Sequence, residues 1–402
     1  MRVCIIGAHL PPVMGGIENH IWELASGLAE AGDDISVIGH LEPGQEKIFK
    51  NTRAEKGFKV FREGRNLFMR RPSRALNKVS RVLSENRRNR FDIIHAHQVI
   101  PEGTLGGFIS GTLKTPLVIT AHGAILNDAS SLFKRPFLKL GFSRAYAVIA
   151  ASSELGERCV KGGAEKEKVR VFPNAVDTGA FCPGLSGRAV RERYGIGPGE
   201  IVVLSLRRIT PKTGIQYLVR AAPRILEKER NIRFIIAGES PAGEPDLRAR
   251  LIRETEDAGV SERFIFPGTL QQKEVPEYIA ACDFALFPSL AEATSIAALE
   301  VMASGKPVIA SRVGGLPEII TDGYNGILVD FDRADSSYRD YGLSEEAVKR
   351  LISAVLLLAG SPEKRKSLGE NAAGVVRREF SWKRYIEKIR ALYREAAAHK
   401  FT

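Results

Sequence analysis

The chain has 402 residues, apolar and charged shares of 44% and 26%, and a formal net charge of +12. Its length predicts two or three domains. No apolar run reaches the roughly 20 residues that a membrane-spanning helix needs. Cys4, Cys159, Cys182 and Cys282 have neither zinc-site spacing nor the density of a disulfide framework. The opening MRVCIIGAHL is too short for a signal peptide and lacks a cleavage site, so it reads as a first strand in a cytoplasmic protein.

In chain order, VCIIGA (3–8) is an apolar run ending at glycine, followed by the loop HLPPVMGG. Ile17, Ile21, Leu24 and Leu28 then recur at helical spacing. DISVIG (34–39), FDIIHAH (91–97), TPLVITAH (115–122) and AYAVIAAS (145–152) continue the strand series. Continuous apolar strands separated by amphipathic helices predict a parallel sheet covered on both faces. The pattern pauses at 172–188, a stretch rich in Pro, Gly and small residues. It then resumes with IVVLSL (201–206), NIRFIIAGE (231–239), ERFIFPG (262–268), CDFALFPS (282–289), KPVIAS (306–311) and NGILVD (325–330). Helices follow over 344–358, 363–379 and 382–398. The expectation is α/β: two doubly wound domains in tandem, 1–172 and 189–381, joined by a linker at 173–188. Helix 382–402 is expected to pack back on the first domain. A ligand in such a fold lies in the cleft, at the carboxyl ends of the strands.

The positive charge is concentrated. Residues 47–90 hold 15 Lys/Arg against Glu55, Glu63 and Glu85. That segment suggests an anionic partner, or a plain solvated face. FMRRPSRALNKVSRVL sets Leu76, Val79 and Leu83 on one helical face among arginines. Such a face docks on anionic lipid or packs on the sheet.

The chemistry concentrates in AEATSIAALEVMASGKPVIASRVGG (291–315). Glu292 falls in the loop beyond a strand's carboxyl end, and Thr294 or Ser295 caps a helix through Ile296, Leu299 and Met302. A helix start suits a phosphate, and Glu300, a turn and a half further in, suits the hydroxyls of a ribose. Gly15 and Gly16 lie between a strand and a helix, where backbone can approach a ligand closely. They do not form a dinucleotide fingerprint.

Glu292-x7-Glu300 followed by MASGKPVIAS, VGGLPEII and DGYNGILV resembles the donor-site signature of the family 4 glycosyltransferases, which have the GT-B fold: two Rossmann-like doubly wound domains facing across a cleft. The resemblance extends to PPVMGGIENH, DIIHAH, VITAHG, VFPNAVD, RRITPKTGIQYLVRA and FSW. It implies a retaining transferase that moves a hexosyl group from a UDP-, GDP- or ADP-linked sugar to a hydroxyl acceptor, such as a lipid-linked or surface-glycan precursor. Glu300 would hold the ribose and Glu292 the donor sugar. Backbone amides near Thr294, Ser295 and Ile296 would receive the diphosphate, and the base would lie near Thr269–Leu270. Arg208 would neutralise the leaving group, and His122 would contact the transferred sugar. Gly15 and Gly16 would complete the donor side, with domain closure excluding water. No cofactor, metal or nucleic acid is expected; Asp330-Phe331-Asp332 is too short a match to argue for an ion. His9 would line the acceptor side, while one of His95 and His97 reads as a buried structural histidine.

Two departures from the family pattern stand out. Thr213 replaces the usual lysine before Gly214, with Lys212 one residue earlier, and Ala293-Thr294-Ser295 replaces Gly-Phe-Gly. The alternatives are a GT-B nucleotide-sugar epimerase, or a non-catalytic basic binding protein with a degenerate site.

Overall fold

The computed structural model describes residues 1–9, 16–40, 57–63, 71–122, 134–241, 246–331 and 344–399. The chain divides into two compact units, Met1–Pro173 with Trp382–Thr402, and Asn174–Ser381.

In the first unit the strands are β1 (Arg2–His9), β2 (Asp34–His40), β3 (Lys59–Glu63), β4 (Ile93–His97), β5 (Leu117–Ala121), β6 (Ala145–Ala150) and β7 (Val169–Val171). They form one parallel sheet in the order β3-β2-β1-β4-β5-β6-β7. Its helices are α1 (Gly16–Glu30), α2 (Arg71–Arg88), α3 (Thr104–Leu113), α4 (Arg135–Arg144) and α5 (Ser153–Lys161). β1, β4 and β5 are buried along their apolar lengths, as sheet strands covered on both faces must be. α2 turns Lys78, Val82 and Glu85 inward and leaves Leu76 exposed. Lys78 therefore does not belong to the solvated basic face. Its Nζ donates to the Gly7 carbonyl and to Glu102 Oε1, both at 2.8 Å. The pair ties α2 to the end of β1.

The second unit contains α6 (Arg188–Arg193), β8 (Ile201–Leu206), α7 (Ile215–Lys228), β9 (Ile232–Ala237), α8 (Leu247–Asp257), β10 (Phe264–Gly268) and α9 (Val275–Ala281). It continues with β11 (Phe284–Phe287), α10 (Ile296–Ala303), β12 (Val308–Ser311), α11 (Leu316–Ile319), β13 (Ile327–Val329), α12 (Glu345–Ala359) and α13 (Pro362–Glu379). The sheet order is β10-β9-β8-β11-β12-β13, all parallel. One apolar cluster fills each of its faces. Val176 and Phe181, from the stretch read as a connector, are buried in the second of these clusters.

The last helix, α14 (Trp382–Ala398), packs in the first unit, against α1. Its apolar face carries Tyr385, Ile386, Ile389, Leu392 and Tyr393. Tyr393 Oη lies 2.6 Å from His95 Nδ1, and Arg390 Nε lies 2.9 Å from Asp33 Oδ2. Both His95 and Tyr393 are fully buried, so neither can turn to water for a substitute partner. Replacing Tyr393 by Phe is expected to lower the stability of this unit by about 1–3 kcal/mol, read as a lower midpoint of urea unfolding with an unchanged slope.

Candidate functional site

In the second sheet the strand order reverses between β8 and β11. Ligands in open parallel sheets bind outside the carboxyl ends of the strands at such a point. The residues that leave these two ends meet there. Along β8 the side chains alternate between faces, so Ser205 and Arg207 share one. Ser205 Oγ donates to the Leu286 carbonyl at 3.0 Å. Arg207 Nη1 donates to Ser289 Oγ at 2.7 Å, and Nη2 to Glu292 Oε2 at 2.6 Å. The guanidinium also lies 5.6 Å from the centre of the Phe287 ring. Burial lowers the Arg207 pKa and the facing Glu292 carboxylate raises it. Arg207 was missed in the sequence, where Arg208 was favoured. Arg208 is exposed and one residue further on.

Two glycines set the backbones of this pair. Gly238 has φ +147, and a Cβ there would lie 1.9 Å from the Arg207 carbonyl oxygen. Gly314 has φ +56, and a Cβ there would lie 1.6 Å from the Glu292 carbonyl oxygen. Any side chain at either position would push the pair apart.

Beyond Glu292, Ser295 caps α10 by accepting from the Ala298 amide at 3.2 Å, so the helix begins at Ile296. Thr294 is buried, and its carbonyl accepts from Asn174 Nδ2 at 3.3 Å. Glu300 sits on α10 with its pKa pushed up to about 7 by burial, opposed by a hydrogen bond from Gln272. That bond brings the loop of Thr269 and Leu270, after β10, beside Glu300. Leu270 is half-buried against the core. Lys212 is exposed, and its carbonyl accepts from the Leu290 amide at 2.7 Å, which brings it to the same edge. Thr213 is buried. Its hydroxyl donates to the Thr210 carbonyl at 2.6 Å and accepts from the Thr210 amide, closing the turn before α7. The structure thus gathers Lys212, Leu270, Glu292, Thr294, Ser295, Ile296 and Glu300 on one edge of one sheet. Asp330 pairs with Arg312 on the surface, Asp332 lies outside the described residues, and no metal-binding cluster occurs among the described residues.

In the first unit, four of the seven histidines of the chain cluster. His122, at the end of β5, lies 3.3 Å from His97 Nδ1 through its Nε2. His95 bonds Thr120 and Tyr393, and His20 meets Tyr385. Both His95 and His97 are buried, beyond the single structural histidine expected. His9 is half-buried at the end of β1. Burial pushes the His122 pKa down to about 4 and the His95 pKa to about 3, each with ordinary value 6.5. His20 and His97 are lowered by burial and by their neighbours. Gly16 opens α1, and a Cβ there would meet nothing within 4 Å among the described residues, so their packing does not demand glycine. Gly15 lies outside the described residues.

Two parallel α/β units with chemistry at a switch point define the GT-B class, and solved structures agree. The complex of Anabaena Alr3699/HepE with UDP and glucose matches with a TM-score of 0.78 at 20% identity, covering 98% of this chain and 100% of that one. Sucrose-phosphate synthase from Thermosynechococcus elongatus matches with a TM-score of 0.76 at 20% identity, covering 98% of each. In sequence, residues 14–180 match glycosyltransferase family 4, and residues 188–375 match glycosyl transferases group 1. D-inositol 3-phosphate glycosyltransferase 2 of Catenulispora acidiphila is 32% identical over 77% of this chain and 74% of its own length. An uncharacterized glycosyltransferase of Methanocaldococcus jannaschii is 28% identical over 84% of this chain and 87% of its own. The chain belongs to the family 4 glycosyltransferases and is a glycosyltransferase.

The buried histidines make a testable demand. Their folded pKa values lie below the unfolded value, so the unfolded chain takes up protons first as pH falls below 6.5. Stability is therefore full above 6.5 and is lost progressively toward pH 4. At pH 5, His95 and His122 each remove about 2 kcal/mol. Thermal unfolding at pH 7 and pH 5 should show a marked drop, and His122→Gln should shrink the drop by about one proton's share.

Proposed function

We propose that this glycosyltransferase moves a hexosyl group, with retention of anomeric configuration, from a nucleotide diphosphate sugar to a hydroxyl acceptor. The observation that carries this reading is the pair Glu292 and Glu300 bracketing the capped start of α10. Backbone amides at Ser295 and Ile296, with the helix dipole behind them, suit a diphosphate. Glu300, beside the loop of Leu270, suits the ribose hydroxyls. Glu292 suits the donor sugar. Negative charge grows on the leaving diphosphate, and Arg208 and Lys212 supply cations to the same edge. His122 is assigned to the transferred sugar on the side of the first unit, where burial keeps it neutral and able to donate or accept one hydrogen bond. Uridine is the first nucleotide to try, because the matching Anabaena structure contains UDP and glucose.

A carboxylate accepts ribose hydroxyls best when ionised. With its pKa near 7, Glu300 is mostly neutral at pH 6 and mostly ionised at pH 8. Affinity for a UDP-sugar should rise about tenfold across that interval. The diphosphate of the sugar nucleotide does not titrate there, so the rise belongs to the protein. The deciding experiment combines nucleotide release from UDP-, GDP- and ADP-sugars with calorimetric binding from pH 6 to 8. Release from one donor, lost in Glu300→Ala, together with a pH rise flattened in Glu300→Gln, is the expected result. Isomerised sugar formed without any acceptor would favour an epimerase. Neither release nor binding would favour the binding protein.

The acceptor reading is a lipid-linked or surface-glycan precursor on an anionic membrane. Much of the basic segment 47–90 lies outside the described residues, but the neighbouring helices support the reading. Phe108 on α3 and Phe137 and Leu140 on α4 are 56%, 54% and 40% exposed. The two helices touch where Thr104 Oγ1 donates to the Phe137 carbonyl at 3.0 Å, so these apolar side chains flank one seam. Lys114, Lys134, Arg135, Lys139 and Arg144 lie on or next to these two helices, and neither helix carries a carboxylate. Apolar side chains with a cationic rim suit an anionic bilayer surface. The protein should sediment with vesicles containing anionic phospholipid and not with neutral ones, and Phe108→Ser with Phe137→Ser should abolish this. Equal sedimentation with both kinds of vesicle would remove the membrane from the proposal.

A further inference from the structure

We infer that Arg207 is a positioning residue for the transfer reaction: it holds the Glu292 carboxylate in the one orientation in which its free oxygen can meet the donor sugar. The inference rests on the proposed function, which assigns Glu292 to that sugar.

Arg207 is fixed from several sides. Its amide continues the β8 ladder to the Ala237 carbonyl at 2.9 Å, and its carbonyl lies in the space that Gly238 leaves open. Phe287 lies within cation–π distance of the guanidinium. Nη1 is spent on Ser289, so Nη2 has one place to go, and Glu292 Oε2 is there at 2.6 Å. The side chains are 10% and 19% exposed, respectively. Glu292 thus keeps an outward aspect, while Arg207 is nearly covered. With Oε2 committed to Arg207, Oε1 is left for a ligand hydroxyl. A charge-assisted bond of this length orients a carboxylate far better than water would.

The pair also has an electrostatic consequence. The anomeric carbon becomes cationic as the leaving group departs. An isolated buried guanidinium nearby would oppose that charge. Paired with Glu292, it presents no net charge. Arg207 therefore differs in kind from Arg208 and Lys212, which form no ion pair among the described residues and suit the diphosphate. A donor sugar meets a neutral, oriented acceptor of hydrogen bonds, and the diphosphate meets the cations.

Arg207→Met and Arg207→Lys test this on the full chain, beside Glu292→Gln and the Arg207→Met/Glu292→Gln double variant. Loss of orientation at a reacting centre costs about 100-fold in kcat for a displacement of about 1 Å. Arg207→Met should lose on that scale in kcat and in kcat/KM alike, with KM nearly unchanged. Arg207→Lys, which keeps the charge and loses the fork, should recover only a small part of the loss, since a lysine cannot hold Ser289 and Glu292 at once. Affinity for UDP, which lacks the sugar, should stay within about twofold in all of them, since Glu292 is not assigned to the nucleotide. A melting-temperature cycle at pH 8 should show that the two single losses do not add, which establishes the contact without turnover.

Additive losses would mean that the contact does not form, and the inference falls. A coupled pair with wild-type kcat in Arg207→Met would make it a fold contact, and the inference again falls. Equal loss of UDP binding and transfer would also overturn it, by making Arg207 part of the nucleotide site. A wild-type chain that turns over no donor, with coupling intact, would instead strike the proposed function and carry this inference with it.

Discussion

The carboxyl edge of the second sheet depends on one ion pair made across a gap in the sheet order. Arg207 leaves β8 and Glu292 follows β11, and their contact closes the point where the two halves of the sheet diverge. Nearly buried charges are costly to desolvate, and such pairs are often no more stable than apolar packing of the same volume. This one is held by geometry imposed from outside it. Gly238 lets the Arg207 backbone approach, and Gly314 does the same for Glu292. The Arg207 Nε finds no hydrogen-bond partner among the described residues, so the packing of the pair is not optimised for stability alone. Such a cost is in keeping with the donor site proposed at this edge.

The first unit uses the opposite electrostatics. Its four clustered imidazoles are kept neutral by burial, with no carboxylate among their direct partners in the described residues. Two tyrosines of α14 serve this cluster, Tyr393 on His95 and Tyr385 on His20. The last helix of the chain therefore completes the polar interior of the unit in which the chain begins. A neutral cluster has no charge to offer an anion, whereas the edge of the second sheet carries the exposed cations of Arg208 and Lys212 beside the paired Arg207 and Glu292.

Most of the strands were legible because central parallel strands are continuous apolar runs, and such runs contrast sharply with the helices around them. The two strands that escaped are at the edges. β3, KVFRE, has two apolar residues among three charged ones, and β7, VRV, is three residues long. Neither has the apolar run that burial on both faces produces. The paired glutamates were legible from spacing, and Ser295 from capping chemistry. Arg207 was not, because two arginines in succession after a strand look alike in sequence. Only the alternation along β8, fixed by the contact of Ser205 with Leu286, decides which one faces Ser289 and Glu292. The stretch 173–188 looked like a connector because it is rich in small residues, yet Val176 and Phe181 are buried in the core of the second unit. Two apolar residues five apart give no periodic signal.

The two departures from the family pattern have local physical explanations. Thr213 stands where a lysine is usual, and its hydroxyl both donates to and accepts from Thr210, so the turn before α7 is closed by a side chain that a lysine could not supply. A cation remains at the edge, since Lys212 is exposed one residue earlier. Likewise, Ser295 in place of glycine gives α10 a side-chain cap, which typically stabilises a helix start by about 1 kcal/mol. A better-capped helix start is more rigid, and a rigid set of amides costs a bound diphosphate less to organise. The substitutions that looked like decay in the sequence thus read as local reinforcement. They add hydroxyl hydrogen bonds to the backbone of the turn before α7 and to the start of α10, and they leave the cations and the two glutamates where an anionic donor would meet them.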